Sequence, residues 1–456
     1  NEFGFDYLRD QLTLRTEDAA RLGERLLRSL RESDNAAVSH RRTIQRGLSF
    51  AVVDEADSVM IDDAGSPLVL SVAADGAPPD LEAHRTAREL ADVLMSGKHF
   101  RLDSATGSLS LTAAGMDRCY ADDVLVPAAV LQRPWTAYVE QALRAALLFR
   151  RNVHYVVSDQ EVRIVDATTG RIFEDRSWQD GLHQAIEVRE GLPVTREKEA
   201  AARITRQRFF RLYTNLCGMT GTAVGCEQEF QQVYRCSTAE IPLRRPSMRT
   251  LLPTRYFRTA AAKFSAIAQD VAQRQKTGQP VLVGTQSISD SEAIAERLTN
   301  AGLNVSVLNG LQTQEEAEIV ASAGKDGMIT IATNLAGRGT DIALDGPVAT
   351  SAGLHVVVAE CQLSGRMDRQ LIGRCARQGS PGSAQTFVSA EDTLLVRFGQ
   401  WLAAALVREC GASEEAPADY SKPLRRIQLA AERRQFLART ELLRQDTARD
   451  SLFERS

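Results

Sequence analysis

Residues 49–57, with the sequence S-F-A-V-V-D-E-A-D, constrain the fold of this chain more than any other stretch. The run from Phe50 to Val53 is apolar and rich in β-branched residues, which predicts a buried strand of a parallel sheet. Asp54 and Glu55 follow at the end of that strand, where ligands of open α/β sheets bind. A strand that ends in Asp-Glu is typical of the Walker B motif, in which the first acid holds Mg²⁺ and the second orients the attacking water. A strand followed by a charged turn gives the same local pattern, so the motif needs support from the rest of the chain.

The composition narrows the classes of function. A length of 456 residues favours about three domains, and a hydrophobic content of 43% is enough to bury their cores. The net charge is −4, so no overall basic field indicates nucleic acid or a membrane surface. The seven cysteines are scattered without a C-x-x-C pair, which predicts reduced thiols and no zinc site. No apolar run approaches the ~20 residues that span a bilayer, so we expect any membrane association to be peripheral.

A second α/β unit begins near residue 263, where apolar strands alternate with helical segments and predict βαβ crossovers. We expect its parallel strands at residues 280–284, 304–308, 328–333, 354–358 and 385–388. Two polar motifs lie among these strands, T-I-A-T-N-L-A-G-R-G-T-D-I at 330–342 and Q-L-I-G-R-C-A-R-Q-G at 370–379. Both carry the charge and glycine that a ligand site at the carboxyl edge of a sheet requires.

Arg374 and Arg377 in the second motif are three residues apart on a predicted helix, so we expect them to share a face. Two guanidinium groups on one face suit a triphosphate whose charge grows in the transition state. A solvent-exposed basic patch is the alternative interpretation. An Asp-Glu pair after one sheet, with Gly-Arg-Gly-Thr-Asp and Arg-x-x-Arg after another, favours a two-lobed, helicase-type motor with ATP in the cleft between its lobes.

The remaining segments carry weaker patterns. The stretch from residue 68 to residue 166 mixes helices with hairpins, one of them turning at Asp159-Gln160. Because it interrupts the ATPase pattern, we predict an inserted α+β domain. A helix is predicted over 197–216, before a small-residue loop that either approaches phosphates or is a simple turn. The charged tail from residue 425 predicts a long helix, in which Leu429, Phe436, Leu442 and Leu443 would form an apolar stripe. A solvent-facing charged helix is the alternative, and it is favoured for the far end.

Seven short sequence motifs, spread along the chain, are best interpreted as one set. They are N-E-F-G-F-D-Y-L-R-D at 1, V-D-E-A-D-S at 53, D-G-L-H-Q-A-I-E at 180, G-M-T-G-T-A at 218, P-V-L-V-G-T at 280, I-A-T-N-L-A-G-R-G-T-D-I at 331 and G-R-C-A-R-Q-G at 373. With them the chain resembles the SecA family of preprotein translocase ATPases over nearly its whole length, and D-G-L-H-Q distinguishes this family from helicases in general. The resemblance implies an α/β fold with two RecA-like lobes of the P-loop NTPase, helicase superfamily 2 class. It also implies an inserted α+β preprotein-binding domain and a C-terminal helical segment.

The resemblance implies a layout of five segments. Residues 1–67 would be the rear part of nucleotide-binding lobe 1, and residues 68–192 the inserted preprotein cross-linking domain. Residues 193–241 would continue lobe 1, residues 242–398 would form lobe 2, and residues 399–456 would begin the helical scaffold.

The resemblance also implies roles for individual residues. Asp54 would bind Mg²⁺ with ATP, Glu55 would be the catalytic base, and Arg374 and Arg377 would be arginine fingers. The residues implied to contact the nucleotide from lobe 2 are Arg338, Gly339, Thr340, Asp341 and Gln378. The residues implied to couple the lobes are Gly218, Thr220, Gly221 and Thr222.

By the same resemblance, the chain would be part of a cytoplasmic motor that is peripheral on the cytoplasmic face of the bacterial inner membrane. This motor hydrolyses ATP with Mg²⁺ to push unfolded preproteins through the SecYEG channel. We expect no nucleic acid partner and no zinc site, and we leave a homodimer open.

One departure from the family pattern concerns the phosphates of ATP. The sequence contains no G-x-x-x-x-G-K-[ST] motif, which in the family precedes the segment that matches residue 1. Without that cradle of backbone N–H groups and its lysine, we expect this chain by itself to bind ATP weakly or not at all. The chain would then be a truncated or accessory member. Two alternatives remain, a non-catalytic peptide-binding relative and a superfamily 2 RNA helicase, and the net charge of −4 argues against the helicase.

Overall fold

The computed structural model describes residues 2–18, 43–45, 47–72, 76–103, 108–165, 172–173, 177–308, 316–333, 341–346, 348, 351–411 and 414–453. The chain divides into two compact units. Unit 1 comprises Asn1–Ala74, Lys198–Glu240 and Arg433–Ser456, and unit 2 comprises Asp75–Glu197 and Ile241–Glu432.

The helices of the described residues are labelled in chain order. They are α1 (Glu2–Asp18), α2 (Leu81–Val93), α3 (Ala113–Cys119), α4 (Trp135–Leu147), α5 (Leu182–Arg189), α6 (Arg206–Arg211), α7 (Ala260–Gln275), α8 (Ile288–Asn300), α9 (Glu316–Ser322), α10 (Gly365–Ile372), α11 (Thr393–Phe398), α12 (Gln400–Glu409) and α13 (Ser421–Phe453). Short helical turns at Ser58–Asp62, Asp63–Gly65, Ala128–Val130, Glu227–Glu229 and Phe230–Tyr234 are left unlabelled.

The strands are labelled in the same way. They are β1 (Phe50–Val53), β2 (Leu68–Val72), β3 (Phe100–Asp103), β4 (Ser108–Leu111), β5 (Tyr155–Ser158), β6 (Glu161–Val165), β7 (Ile172–Phe173), β8 (Glu199–Ile204), β9 (Asn215–Gly218), β10 (Met248–Leu251), β11 (Arg255–Phe257), β12 (Val281–Thr285), β13 (Ser306–Leu308), β14 (Ile329–Thr333), β15 (Leu354–Val358), β16 (Pro381–Ser389) and β17 (Glu415–Ala416).

Unit 1 contains the predicted strand β1, which pairs in parallel with β9. Val53 at its end is buried among apolar side chains, but Phe50 and Val52 are 61% and 58% exposed. The prediction of a buried strand is therefore confirmed for pairing and wrong for these two side chains. Among the described residues β1 pairs with β9 alone, and so narrow a sheet leaves much of its surface uncovered.

The predicted helix over 197–216 is wrong. The segment forms β8, the short helix α6 and β9, and β8 pairs antiparallel with β2. Its Ala-rich sequence has helical propensity, but pairing with β2 outweighs that weak preference. Thr205 ends the strand and begins α6, because its side chain accepts a hydrogen bond from the backbone N of Arg208 at 3.3 Å.

The first part of unit 2 is an α+β region in which α2, α4 and α5 pack together. Trp135 and Tyr138 of α4 are fully buried in its core beside Phe100 of the β3–β4 hairpin. The predicted hairpin at Asp159-Gln160 is confirmed between β5 and β6, and both residues adopt left-handed φ angles of 54° and 62°. Such angles at both central residues match the twist of a two-residue hairpin.

In the second part of unit 2 the described residues form an eight-stranded sheet with the order β13-β14-β12-β15-β16-β11-β17, and β10 also pairs with β16. All of its pairings are parallel except the one between β11 and β17. Every residue of β12, β14 and β15 is buried, as expected for central strands covered on both faces. The predicted second parallel sheet is thus confirmed.

The tail forms the long helix α13, whose first part lies in unit 2 and whose later part lies in unit 1. Leu424, Ile427 and Ala431 are buried in a core of unit 2, and Leu443 is buried in the unit 1 core around β1. Leu429 is 48% exposed, so its predicted place in the apolar stripe is wrong. It lies two positions from Ile427 and Ala431, which turns its side chain to another face of the helix. Within the part of the chain that the structure describes, none of the helices combines the length and the hydropathy of a membrane-spanning segment.

Candidate active site

The acidic turn after β1 carries two of the predicted catalytic residues. Asp54 and Glu55 are both exposed, and Glu55 adopts a left-handed backbone with φ 50°. Oδ1 of Asp54 accepts a hydrogen bond from the backbone N of Glu55 at 2.8 Å, and the Glu55 carbonyl accepts one from Ser58 N at 2.9 Å. Left-handed backbone is uncommon outside glycine and is retained where surrounding contacts fix it. These bonds hold the reversal that presents both carboxylates at the carboxyl end of β1.

A third acid of the motif, Asp57, is fully buried and was not among the predicted site residues. Its Oδ1 accepts a hydrogen bond from Thr220 Oγ1 at 2.6 Å, and its Oδ2 accepts one from Thr222 Oγ1 at 2.5 Å. Thr222 N also donates to Thr220 Oγ1 at 3.0 Å. The predicted coupling loop is therefore fastened to the acidic turn through one buried carboxylate. A third acid close after Asp54 and Glu55, and two hydroxyls two residues apart, were the sequence signals for this contact.

The chain leaves β9 at Gly218 under tight steric limits. Ala56 N donates to Met219 O and Met219 N donates to Val53 O, both at 2.9 Å, so the two segments stay paired beyond the strands. A Cβ atom at Gly218 would lie 2.7 Å from the Cβ of Ala56 and 2.9 Å from the carbonyl of Val53. A Cβ at Gly221 would meet nothing within 4 Å. The close approach therefore requires glycine at 218 but not at 221.

Arg374 and Arg377 lie in unit 2, and the prediction that they share a helix face is wrong. Helix α10 ends at Ile372, and both arginines lie in the turn that follows it. Ala376 and Gln378 in this turn adopt left-handed φ angles of 54° and 53°, which end the helical spacing. We call residues 373–379 the arginine turn.

The arginine turn brings together two of the predicted nucleotide-site residues. Arg377 Nη1 lies 2.9 Å from Asp341 Oδ1, and Arg377 Nε donates to Gly373 O at 3.0 Å. The side chains of Arg377 and Asp341 are 39% and 53% exposed. An ion pair this exposed contributes at most about 1 kcal/mol, so the guanidinium can exchange its partner for a phosphate at low cost.

Two arginine side chains hold the arginine turn by hydrogen bonds to its backbone carbonyls. Arg249 Nη2 donates to the carbonyl of Cys375 at 3.1 Å, and Arg245 Nη1 donates to the carbonyl of Gln378 at 3.4 Å. Cys375 is fully buried, and burial raises the pKa of its thiol. The turn is thus anchored through its main chain, while Gln378 is exposed and Arg374 and Arg377 are half-buried.

The predicted contacts of Arg338, Gly339 and Thr340 lie outside the described residues. Within the described residues no cluster of three or more His, Cys, Asp or Glu side chains is arranged to hold a metal ion. Mg²⁺ that is bound with ATP needs no such cluster, because it takes one or two carboxylates together with phosphates and water. Asp54 fits this requirement. Its carboxylate is exposed, and its bond to Glu55 N uses Oδ1, which leaves Oδ2 suited to a hard cation.

Comparison with known proteins identifies the family. The profile of the SecA DEAD-like domain matches residues 1–231, and that of the SecA P-loop domain matches residues 246–352 and 346–415. The chain is 40% identical over 450 residues to "Protein translocase subunit SecA" of Halothermothrix orenii, covering 98% of this chain and 50% of that protein. It is 41% identical over 397 residues to "Protein translocase subunit SecA 2" of Nitrosospira multiformis, covering 86% of this chain and 58% of that protein.

Among solved structures, the chain is similar to S. cerevisiae Dbp5 bound to RNA and ADP BeF3, with 17% identity and a TM-score of 0.30. That likeness covers 56% of this chain and 60% of the other.

The sheets and the family profiles define an α/β protein of the helicase-like, RecA-fold class, as the sequence predicted. The chain belongs to the SecA family. It spans about half the length of the SecA relatives that it matches.

Proposed function

We propose that this chain carries the hydrolytic and coupling residues of a SecA-type motor, which uses ATP and Mg²⁺ to move unfolded preproteins through the SecYEG channel. The observation that carries the proposal is the buried Asp57, which joins the acidic turn to the loop of Thr220 and Thr222. A motor needs such a link, because a change at the γ-phosphate must reach a segment that moves. The identity of 40% to a translocase subunit over 98% of this chain supports the same conclusion.

In unit 1 we assign the chemical step to the acidic turn. Asp54 would hold Mg²⁺, and the ion would neutralise charge on the phosphates when bound. Glu55 would accept a proton from the attacking water as the general base. Its carboxylate is exposed to water, and its left-handed backbone keeps it beside Asp54.

In unit 2 we assign charge stabilisation to the arginine turn. Arg377 and Arg374 would bind the γ-phosphoryl oxygens as their charge grows in the transition state. Asp341 would then release Arg377 and contact the nucleotide, which the exposure of this pair permits. Gln378 and residues 338–340 would complete the nucleotide contacts from this unit.

The other segments would serve the polypeptide substrate. Residues 68–192 would form the preprotein-binding domain and residues 399–456 the start of the helical scaffold. Residues 1–67 with 193–241 would form lobe 1, and residues 242–398 would form lobe 2. We place the motor in the cytoplasm and peripherally on the cytoplasmic face of the inner membrane. A homodimer remains open.

The proposal is tested by supplying the phosphate-binding segment, because the sequence contains no G-x-x-x-x-G-K-[ST] motif. We expect the 456-residue chain to show no ATP hydrolysis by itself. The same chain fused behind the N-terminal segment of the Halothermothrix orenii relative should hydrolyse ATP. SecYEG vesicles with an unfolded preprotein should increase that rate. A fusion that binds ATP without turnover would contradict the proposal and favour a second candidate, a non-catalytic peptide-binding relative.

A further inference from the structure

Helix α10, which leads into the arginine turn, receives its support from an element outside the predicted nucleotide site. That element is the first part of α13, within unit 2. Glu432 Oε1 accepts a hydrogen bond from Gly365 N at 2.8 Å and another from Ser364 Oγ at 3.1 Å. The carboxylate therefore meets the N-terminus of α10, where unpaired N–H groups and the helix dipole favour negative charge.

A second residue of α13 contacts the first turn of α10. Gln428 Nε2 donates to Asp368 Oδ2 at 2.6 Å and to Gln362 O at 3.1 Å. Asp368 Oδ1 in turn accepts from Gln362 N at 2.9 Å. Gln428 and Asp368 are both buried, so their bonds form away from water and fix the rotation of α10 as well as its position.

The two helices approach each other closely at Gly365. A Cβ atom at Gly365 would lie 2.4 Å from Arg425 Nη1 and 3.2 Å from Gln428 Oε1. Arg425 also lies 3.6 Å from Glu432 at the same helix N-terminus. Glu432 and Gln428 therefore hold the first turn of α10, and Arg425 lies beside it.

Because α10 is short, its contacts with α13 also influence the position of the arginine turn. The helix has eight residues, which is about 12 Å, and Gly373 follows it directly. A helix this short and hydrogen-bonded moves as a rigid rod, so a shift at its first turn appears at its other end. Displacing a reacting or stabilising group by about 1 Å can cost a hundredfold in rate.

We propose that Gln428 and Glu432 are positioning residues for the arginine turn, holding Arg374 and Arg377 in place through α10. This inference rests on the proposed function for its catalytic consequence.

The catalytic test uses the ATP-hydrolysing fusion described above. Glu432→Ala and Gln428→Ala should each lower kcat at least tenfold and change the KM for ATP less than threefold, because the arginines act in the transition state. Glu432→Gln keeps an acceptor oxygen and should recover kcat to within about threefold of wild type. Glu441→Ala and Gln445→Ala are the matched controls, since both residues are exposed on α13 and Gln445 Nε2 donates to Glu441 Oε1 at 3.2 Å, away from α10 in the sequence and in their contacts within the described residues. Neither control should change kcat.

The positioning test uses the 456-residue chain and needs no ATP turnover. Hydrogen exchange of peptides covering residues 373–380 should accelerate at least tenfold in Glu432→Ala and stay unchanged in Glu441→Ala. Unchanged exchange together with unchanged kcat would overturn the inference. Equal losses in kcat and ATP affinity, without recovery by Glu432→Gln, would also overturn it, because they indicate general damage. If the wild-type fusion hydrolyses no ATP, the proposed function fails, and exchange alone decides whether α13 positions the turn.

Discussion

Oδ2 of Asp57 lies 2.5 Å from Oγ1 of Thr222, and the two residues are 165 positions apart in the sequence. The carboxylate is fully buried, and its other oxygen is taken by Thr220. A buried carboxylate is stable only when its oxygens are satisfied, so the loop conformation and the acidic turn depend on each other. This mutual dependence is the physical basis for a coupling role of the loop.

Removing the contact between Asp57 and Thr222 should lower the local stability of unit 1. Asp57→Asn should lower the local unfolding free energy by about 1–3 kcal/mol, because the amide cannot accept at both positions. In a double-mutant cycle with Thr222→Val, a coupling energy of about 1 kcal/mol or more is expected. All three tryptophans, Trp135, Trp178 and Trp401, lie in unit 2, so fluorescence does not report on this unit. Hydrogen exchange of peptides over residues 50–60 and 215–225 is the measurement, with exposed Asp122→Asn as control.

The two glycines of the coupling loop should respond differently to alanine. Gly218→Ala should destabilise unit 1 by about 1–3 kcal/mol, since its Cβ would press on Ala56 and Val53. Gly221→Ala should change the stability by less than about 0.5 kcal/mol, because the space around that position is open. Equal effects of the two substitutions in the same exchange experiment would contradict the close approach at Gly218.

The later part of α13 should stabilise unit 1 through Asp446. Its Oδ2 accepts from Thr205 N at 2.9 Å and from Thr205 Oγ1 at 2.8 Å, and both residues are buried. Asp446→Ala leaves the Thr205 donors buried without an acceptor and should cost about 1–3 kcal/mol. The cost should appear as faster exchange and faster proteolysis of the segment around α6. Exposed Glu441→Ala on the same helix should leave both rates unchanged.

Asp368 gives unit 2 a pH dependence with a defined sign. Burial raises the pKa of its carboxyl from an ordinary value of 3.8 to about 7, and nearby Glu432 adds to the rise while Arg369 opposes it. The folded state therefore holds this proton more tightly than the unfolded state does. The free energy of unfolding should fall as the pH rises from about 4 to 7, by up to about 1.4 kcal/mol per pH unit, and then level off.

The measurement is urea unfolding followed by tryptophan fluorescence at pH 5 and pH 7. Asp368→Asn removes the titrating group but keeps only one acceptor oxygen for the two donors, Gln362 N and Gln428 Nε2, so it should be less stable than wild type. Its stability should nevertheless fall less than that of wild type over this pH interval. An identical fall in both proteins would assign the pH dependence to other groups.

The sequence predicted the sheet of unit 2 because its strands carry the signal in their own residues. The runs at β12, β14 and β15 are apolar and β-branched, and burial on both faces requires that composition. The prediction for the segment 199–218 was wrong for the opposite reason. Its local preference is helical, and its strands form only because β2 and β1 supply partners more than a hundred residues away.

The candidate site was predictable in its residue types but not in its shape. The helical placement of Arg374 and Arg377 failed because Ala376 and Gln378 adopt left-handed backbone that neither residue type signals. Asp57 was missed because its importance arises from two threonines of a distant loop. Local patterns therefore identified the motifs, while tertiary contacts determine which of their side chains are buried and paired.

The assignment of Glu55 as the general base leads to a separable effect on binding and turnover. In the ATP-hydrolysing fusion, Glu55→Gln should leave the affinity for ATP within about threefold of wild type, because the side chain is exposed and the amide keeps its size. It should lower kcat by about 100-fold or more, since the amide cannot accept the proton of the attacking water. Asp54→Asn, by contrast, should weaken ATP binding that depends on Mg²⁺, because it removes the charge that holds the ion. Equilibrium nucleotide binding with and without Mg²⁺, together with steady-state hydrolysis, distinguishes the two roles, and an unchanged rate in Glu55→Gln would exclude this residue as the base.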